Sequence, residues 1–280
     1  MIVIITGHVL GGYGNHDLRH NRPLTTRPTG QLTYNEDLIN WCDVVVPCGG
    51  DGTFLLAASR VRDANKPVIG FNSSPKKSVG RLCLPTWCSN DVKGAYYITK
   101  LFLFYVQVFI GESVTSRVSL LRLQIDNGEW SHTKSSGLCV TTGTGSTSWH
   151  FSINCLRTQS VQELMKILSE EFGVQIDTAL EKAREVTEKY NQKLMFAADS
   201  EQLAYSVREY ITFEEWPTPR GLKVRDRASS VKVKSHCTDA GLVIDGSVSF
   251  PFNDGTEAIL EIHPEDSLMT VQMTVDDDRP

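Results

Sequence analysis

The sequence predicts an α/β half followed by a β-rich half that carries a helical insertion. Residues 43–48 (DVVVPC) and 67–71 (PVIGF) are short, apolar, β-branched runs of the kind buried on both faces of a sheet. The stretch between them contains the helix-prone run 53–61 (TFLLAASRV) and is long enough for a right-handed crossover, giving one βαβ unit. Past residue 105 the pattern changes. Leu121, Leu123 and Ile125 alternate with Arg122, Gln124 and Asp126, and Asn127-Gly128 then signals a hairpin. Residues 231–234, 242–244, 248–252 and 258–262 repeat the short-strand pattern, with Asp245-Gly246 as a second turn, which argues for an antiparallel β domain. Within it, residues 160–195 read as two helices, with Val161, Leu164, Leu168 and Phe172 expected on the buried face of the first. The expected division is 1–105 and 106–280.

Bulk composition narrows the function classes. Of 280 residues, 40% are hydrophobic and 22% charged, values of an ordinary globular protein. A net charge of -5 without a Lys/Arg cluster gives no footprint for nucleic acid or an anionic membrane. The ten-residue apolar run 101–110 (LFLFYVQVFI) is about half of the ~20 residues a spanning helix requires, so it reads as buried strand or core helix. No signal peptide, transit peptide or membrane span is expected. Seven scattered cysteines without a C-x-x-C pair read as thiols in a reducing compartment, not as a zinc site. The polar stretch 7–35, punctuated by Gly and Pro, holds His8, His16 and His20 at spacings that suggest loop and no metal site.

Two loops suit phosphates. Gly49-Gly50-Asp51-Gly52-Thr53 lies between the first buried strand and its helix, where glycines let a ligand approach the backbone and helix N–H groups favour an anion. Asp51 would repel a phosphate, so its expected use is chemical: taking a proton from a hydroxyl or helping to hold a magnesium-bound phosphate. The plainer reading is a helix cap. The second loop, Thr141-Thr142-Gly143-Thr144-Gly145-Ser146-Thr147, follows the apolar run 138–140 and precedes a helix expected over 148–156. No Lys follows Gly145, so it is not a Walker loop.

The first loop resembles the GGDGT signature shared by NAD kinases, ATP-dependent lipid kinases and, in variant form, phosphofructokinases. Residues 141–149 (TTGTGSTSW) are similar to the second NAD kinase signature, STPTGSTAY; Gly143 for Pro, Ser148 for Ala and Trp149 for Tyr point to the mitochondrial branch of that family. Asn72 stands where the family places an Asn after its second strand, and Gly80 matches a family glycine further on. Residues 108–113 (VFIGES), 134–138 (KSSGL) and 243–252 (VIDGSVSFPF) resemble the same branch.

The resemblance implies a Rossmann-like amino-terminal domain and a β-rich carboxyl-terminal domain, with NAD and ATP at the cleft between them. It implies ATP with magnesium, a mitochondrial location and a homodimer. Asp51 would accept the proton of the adenosine ribose 2′-hydroxyl. Gly49, Gly50, Gly52 and Thr53 would cradle phosphate or ribose. Thr142, Gly143, Thr144, Gly145, Ser146 and Thr147 would line the nucleotide site, with Ser148 and Trp149 close to NAD. Asn72 and Asp245 join the nucleotide-binding set, although the hairpin turn also explains Asp245.

Where the family carries Leu-Asn-Glu ahead of the VFIGES segment, this chain has Tyr105-Val106-Gln107. Val106 offers no side-chain hydrogen bond and Gln107 no charge. The stretch 86–107 is shorter than its family counterpart. The opening strand and helix are not recognisable in residues 1–33, so the Rossmann-like domain is expected to be incomplete, as from a missing segment. Two alternatives follow: a non-catalytic or weakly active relative, and a lipid kinase sharing GGDGT. The lipid kinase predicts an apolar acceptor pocket and gives no reason for residues 141–149.

Overall fold

A computed structural model of the chain describes residues 2–6, 16–17, 22–23, 36–74, 82–84, 96–101, 107–211, 222–246 and 248–273. Gly80, Val106, His8, His20 and Cys88 lie outside these residues. Two compact units result, 1–104 together with 263–280, and 105–262. Residues 263–280, grouped above with the β-rich half, thus fall with the first unit.

The first unit is built on a parallel sheet. Ile2–Thr6 (β1) pairs in parallel with Val44–Cys48 (β4), from Ile2 opposite Val44 to Thr6 opposite Cys48. The two-residue strands His16–Asp17 (β2) and Arg22–Pro23 (β3) form a separate ribbon. The opening strand expected to be missing is therefore present, and this corrects the sequence reading. Ile2, Val3, Ile4 and Ile5 are all β-branched or strand-forming, but the run acquires its meaning only from the distant β4 that it pairs with.

Helix Glu36–Trp41 (α1) leads into β4, and its last carbonyls are capped from afar: buried Lys66 donates to Ile39 O at 2.5 Å and Asn40 O at 2.7 Å. A cation there meets the negative end of the helix. Gly70–Phe71 (β5) and Cys83–Leu84 (β6) extend the sheet in the order β1-β4-β5-β6. Between β4 and β5 runs helix Asp51–Ala58 (α2), which buries Phe54, Ala57 and Ala58. On the other side of Val68, Leu268–Met273 (β18) forms a parallel bridge through Thr270 and pairs antiparallel with Tyr96–Leu101 (β7). That pairing assigns the returning segment to this unit. The apolar run 101–110 is divided: Leu101 ends β7, and the next strand begins at Gln107.

The second unit packs two antiparallel sheets around one core. One sheet has the order β13-β12-β11-β8-β15-β16, from Arg225–Ala228 (β13), Leu203–Arg208 (β12), Gly137–Thr141 (β11), Gln107–Glu112 (β8), Ala240–Ile244 (β15) and Val248–Pro251 (β16). The other has the order β10-β9-β14-β17, from Ser131–Ser135 (β10), Ser119–Ile125 (β9), Ser230–Ser235 (β14) and Glu257–Glu261 (β17). Val108, Ile110, Leu138 and Val140 of the first sheet share a core with Leu121, Leu123, Val231 and Val233 of the second. At about 25 cal/mol per Å² of apolar area, burial of this period-2 pattern supplies the driving force that the alternation at 121–125 announced.

Two local expectations shift. The β9–β10 turn is closed by Gly128 N donating to Ile125 O at 2.8 Å, so the residues at positive φ are Asp126 (49°) and Asn127 (59°), one position earlier than Asn127-Gly128. In the insertion, Thr158–Phe172 (α4) and Leu180–Gln192 (α5) form the expected helix pair, with Gly173 at φ 62° ending α4. Val161 is buried, yet Leu164, Leu168 and Phe172 are exposed at 51%, 45% and 72%. The interior contact runs instead through Val161, Met165 and Ala183, because α5 covers only one side of a broader apolar stripe.

Gly137 joins β10 to β11 at φ 133°, and a Cβ there would lie 2.4 Å from Phe109 Cζ and 2.8 Å from Ile110 O. Gly137→Ala combines a forbidden φ with overpacking, and the expected loss is roughly 2–4 kcal/mol. Urea denaturation of the two proteins checks this; an unchanged midpoint would refute it.

Candidate active site

The first loop is drawn to the carboxyl end of the parallel strands. Gly49 N donates to Phe71 O at 2.8 Å, which sets the loop beside the exit of β5 and hence beside Asn72. Asn72 folds into a turn in which its Oδ1 accepts from Ser74 N at 3.0 Å. Gly50 is the residue before α2, and no side chain caps that helix. Asp51 is therefore not a cap. It occupies the first turn, and its Oδ1 accepts a hydrogen bond from Leu82 N at 2.8 Å.

The glycines of this loop serve different ends. A Cβ on Gly49 would sit 2.2 Å from Thr53 Oγ1, so the turn itself excludes any larger residue. A Cβ on Gly52 would meet nothing within 4 Å. Glycine in a helix costs about 1 kcal/mol relative to alanine. Packing within the chain does not require Gly52. Cys83 Sγ lies 3.7 Å from Gly49 O, and burial, with Asp51 and Cys48 adding to it, pushes the thiol up to about 11. Such a thiol stays protonated and is no nucleophile.

The second loop leaves β11 and passes through a tight turn at Thr144–Thr147 into the short helix Trp149–Asn154 (α3). Thr142, Gly143, Thr144, Gly145 and Ser146 are buried, Thr147 is half-buried, and Ser148 and Trp149 are exposed. Ser146 Oγ donates to Gly143 O at 2.6 Å and accepts from Phe196 N at 3.2 Å. A Cβ on Gly143 would lie 1.8 Å from Ala197 O, which explains physically why glycine stands where the related signature has proline. Thr144 Oγ1 is buried without a hydrogen-bond partner. Such a group costs about 1–3 kcal/mol unless a water or ligand completes it.

At the end of this loop Ser148, Asp245 and Trp149 come together around β8. Asp245 Oδ1 accepts from Gln107 N at 2.8 Å, and Asp245 N donates to Gln107 O at 2.9 Å. Its φ of 48° also makes it the expected turn residue. Ser148 Oγ reaches Gly145 O at 2.9 Å and Gln107 Oε1 at 3.1 Å, and its single proton serves one of them at a time. The Trp149 ring packs on Phe109 at 4.6 Å, with the Arg208 guanidinium 5.7 Å from its centre. Each group of candidates thus assembles within its own unit: Gly49 to Thr53 with Asn72, and Thr142 to Trp149 with Asp245.

Sequence reasoning missed Leu82, Phe196, Ala197 and His150. The first three act through backbone atoms, which leave no trace in residue type. His150 is 2% exposed, with Nδ1 3.0 Å from Ser206 Oγ, and Asn154 Nδ2 donates to the same oxygen at 2.8 Å. Burial, then the nearby Arg225 and Arg227 charges, holds it down to about 4.

This architecture, with a glycine loop on a parallel sheet and a hydroxyl-rich loop on a β sandwich, is that of a nucleotide kinase, and comparison with known proteins gives the family. Residues 25–82 match the ATP-NAD kinase N-terminal domain. The human protein named NAD kinase 2, mitochondrial, is 32% identical over 315 residues, spanning 91% of this chain and 71% of its own. The rat protein of the same name is 33% identical over 315 residues, spanning 91% and 73%. A crystal structure of yeast NADH kinase complexed with NADH shares the fold, with a TM-score of 0.50, 17% identity and coverage of 87% of this chain and 66% of that one. The chain belongs to the NAD kinase family, in its mitochondrial branch. The lipid kinase alternative is set aside on these matches.

His150 makes stability depend on pH. Its folded pKa lies below the unfolded value near 6.5, so between the two the unfolded chain binds more protons. The stabilisation is complete above pH 6.5 and is lost as pH falls toward about 4, by at most roughly 3 kcal/mol. Urea midpoints measured across that window should fall for the unaltered protein and fall less for His150→Gln; parallel curves would refute the assignment.

Proposed function

We propose that this chain phosphorylates NAD at the adenosine ribose 2′-hydroxyl, using ATP and yielding NADP and ADP. The observation that carries the chemistry is the Asp51 carboxylate, pinned through one oxygen by the Leu82 amide at the head of α2. The hydroxyl proton passes to Asp51 as the 2′-oxygen bonds to the γ-phosphorus, and the bond from that phosphorus to the β-γ bridging oxygen breaks. Phosphoryl transfer draws mainly on positioning and charge neutralisation, which glycine-lined amides at a helix head supply. Gly49, Gly50, Gly52 and Thr53 cradle phosphate or ribose, with Asn72 beside them. The half-buried Thr147 and the exposed Ser148 and Trp149 face NAD, Thr142 to Ser146 support them, and a water or ligand oxygen completes the Thr144 hydroxyl. Asp245 holds the edge of this site through Gln107.

Magnesium fits as an ion carried on the ATP phosphates. The described residues hold no group of three His, Cys, Asp or Glu side chains suited to a metal, and magnesium would be held by phosphate oxygens and water, which leaves Asp51 free to take a proton. When bound it neutralises phosphate charge. The names of the human and rat relatives support a mitochondrial location, and the family resemblance supports a homodimer.

Asp51→Asn tests the base. The amide oxygen still accepts from Leu82 N, so fold and nucleotide affinity are retained, while the side chain no longer takes a proton. The rate of NADP formation is expected to fall by about 10²-fold or more. A variant that keeps above roughly a tenth of the rate would remove Asp51 as general base.

Gln107→Glu keeps the acceptor that Ser148 addresses and returns the charge found at the equivalent position of the family. The expected result is a rise in kcat/KM for NAD of about tenfold, the scale of one charge-assisted hydrogen bond. An unchanged or lower kcat/KM shows that Gln107 suits this site better than the carboxylate.

A further inference from the structure

The segment linking α5 to β12 crosses the second loop and has no regular structure over residues 195–197. Three contacts tie it down. The Ala197 carbonyl lies where only a glycine at 143 leaves room, with 1.8 Å to an added Cβ. Phe196 N donates to Ser146 Oγ at 3.2 Å. The Arg227 guanidinium sits 4.1 Å from the centre of the Phe196 ring, a cation–π contact from β13. The α5 flank of the segment is fixed as well. Arg225, two residues along the same strand, donates to the Tyr190 hydroxyl of α5 at 3.0 Å. Asn191 clasps Leu156, accepting from its N–H at 2.9 Å and donating to its carbonyl at 3.0 Å.

The loop beneath closes on itself: Ser146 N and Oγ donate to Gly143 O at 3.1 and 2.6 Å, and Ser148 N donates to Gly145 O at 3.0 Å. Thr144 contributes a hydroxyl with no partner, and Ser146 spends its acceptor capacity on Phe196. These bonds fix the turn within itself, and a glycine-containing turn can still shift as a whole unless something outside restrains it. The crossing segment supplies such a contact through Phe196 N and Ala197 O.

We propose that residues 195–198 form a strap that fixes the 142–147 loop in its binding shape before a nucleotide arrives, with Phe196 and Arg227 as the positioning residues. The inference rests on the reading of that loop as a nucleotide site. The strap carries none of the chemistry. It removes in advance the ordering cost that the ligand would otherwise meet, so it acts on affinity and leaves the transferred phosphoryl group alone. It also gives the helical insertion a function within the second unit, since α5 leads into the strap.

The test compares the full chain with Phe196→Ala, Phe196→Tyr, Arg227→Gln and the double variant Phe196→Ala/Arg227→Gln. Calorimetric titration with NAD and with ATP gives Kd, steady-state assays give KM and kcat, and amide hydrogen exchange reports residues 142–147. For Phe196→Ala the expected result is a Kd and KM about tenfold higher for one of the two nucleotides, with kcat changed far less. Loop amides should exchange faster in the same variant. Phe196→Tyr keeps a ring for the guanidinium and should restore both readouts. Arg227→Gln should weaken binding by a smaller factor, and the double variant should be no worse than Phe196→Ala, because a single contact is lost once.

A purely packing role predicts a lower Tm with Kd unaltered in the folded protein, and that outcome overturns the proposal. Should Phe196→Ala fail to fold, the exposed Arg227→Gln carries the comparison, and an unchanged Kd and unchanged loop exchange there overturn it equally. If the unaltered chain binds neither nucleotide, the kinase reading fails, while the exchange rates still decide whether the strap restrains the loop.

Discussion

The hydrogen bond from Leu82 N to Asp51 Oδ1 joins the acidic side chain of an anion-seeking loop to a different strand of the same sheet. Its donor is backbone, so its position is set by sheet register. Cys48 lies opposite Phe71, and Phe71 opposite Leu84, which brings the residue just before β6 to the head of α2. The carboxylate then has a fixed direction among glycines that would otherwise give it several. Without the parallel register, Asp51 would be a mobile negative charge at the head of α2.

The second unit solves a different problem with a different architecture. A sandwich of two antiparallel sheets gives β11 and β8 central positions in the larger sheet, and β11 is buried along its whole length. A loop leaving so rigid a strand starts from a fixed point. Its far end is fixed as well, because His150, Ser206 and Asn154 lock α3 onto β12. The glycines between these anchors are the places where the chain must pass under Ala197 or turn tightly. Arg225 and Arg227 connect these features: they grip Tyr190 and Phe196 and add to the burial that lowers the basicity of His150.

Much of this could be read from residue order, and the failures have physical causes. The βαβ unit and the alternating strands are governed by period and apolarity, which are local quantities, and both halves of the fold were read correctly from them. The opening strand was missed because four β-branched residues ahead of a polar stretch become a strand only by pairing with β4, forty residues away. The exposed Leu164, Leu168 and Phe172 show the reverse error. An apolar stripe predicts a buried face only when the partner is as wide as the stripe, and α5 is not. At the candidate site, the loops announced themselves through glycine and hydroxyl content. The groups that touch them are backbone atoms of Leu82, Phe196 and Ala197, which residue type does not announce, and the Phe196 ring finds its partner only in the distant Arg227.

The pairing of β18 with β7 has a consequence for how the polypeptide acquires its shape. The first unit is discontinuous: its sheet begins at Ile2 and takes in Thr270, and the whole of the second unit is threaded between. Ribosomal synthesis delivers residues 105–262 before β18 exists, so the sandwich can close while the older amino-terminal segment still lacks a strand. Long sequence separation between contacting strands also slows their pairing. The nascent chain therefore carries an open sheet edge through most of its translation, and the half made first is the half completed last.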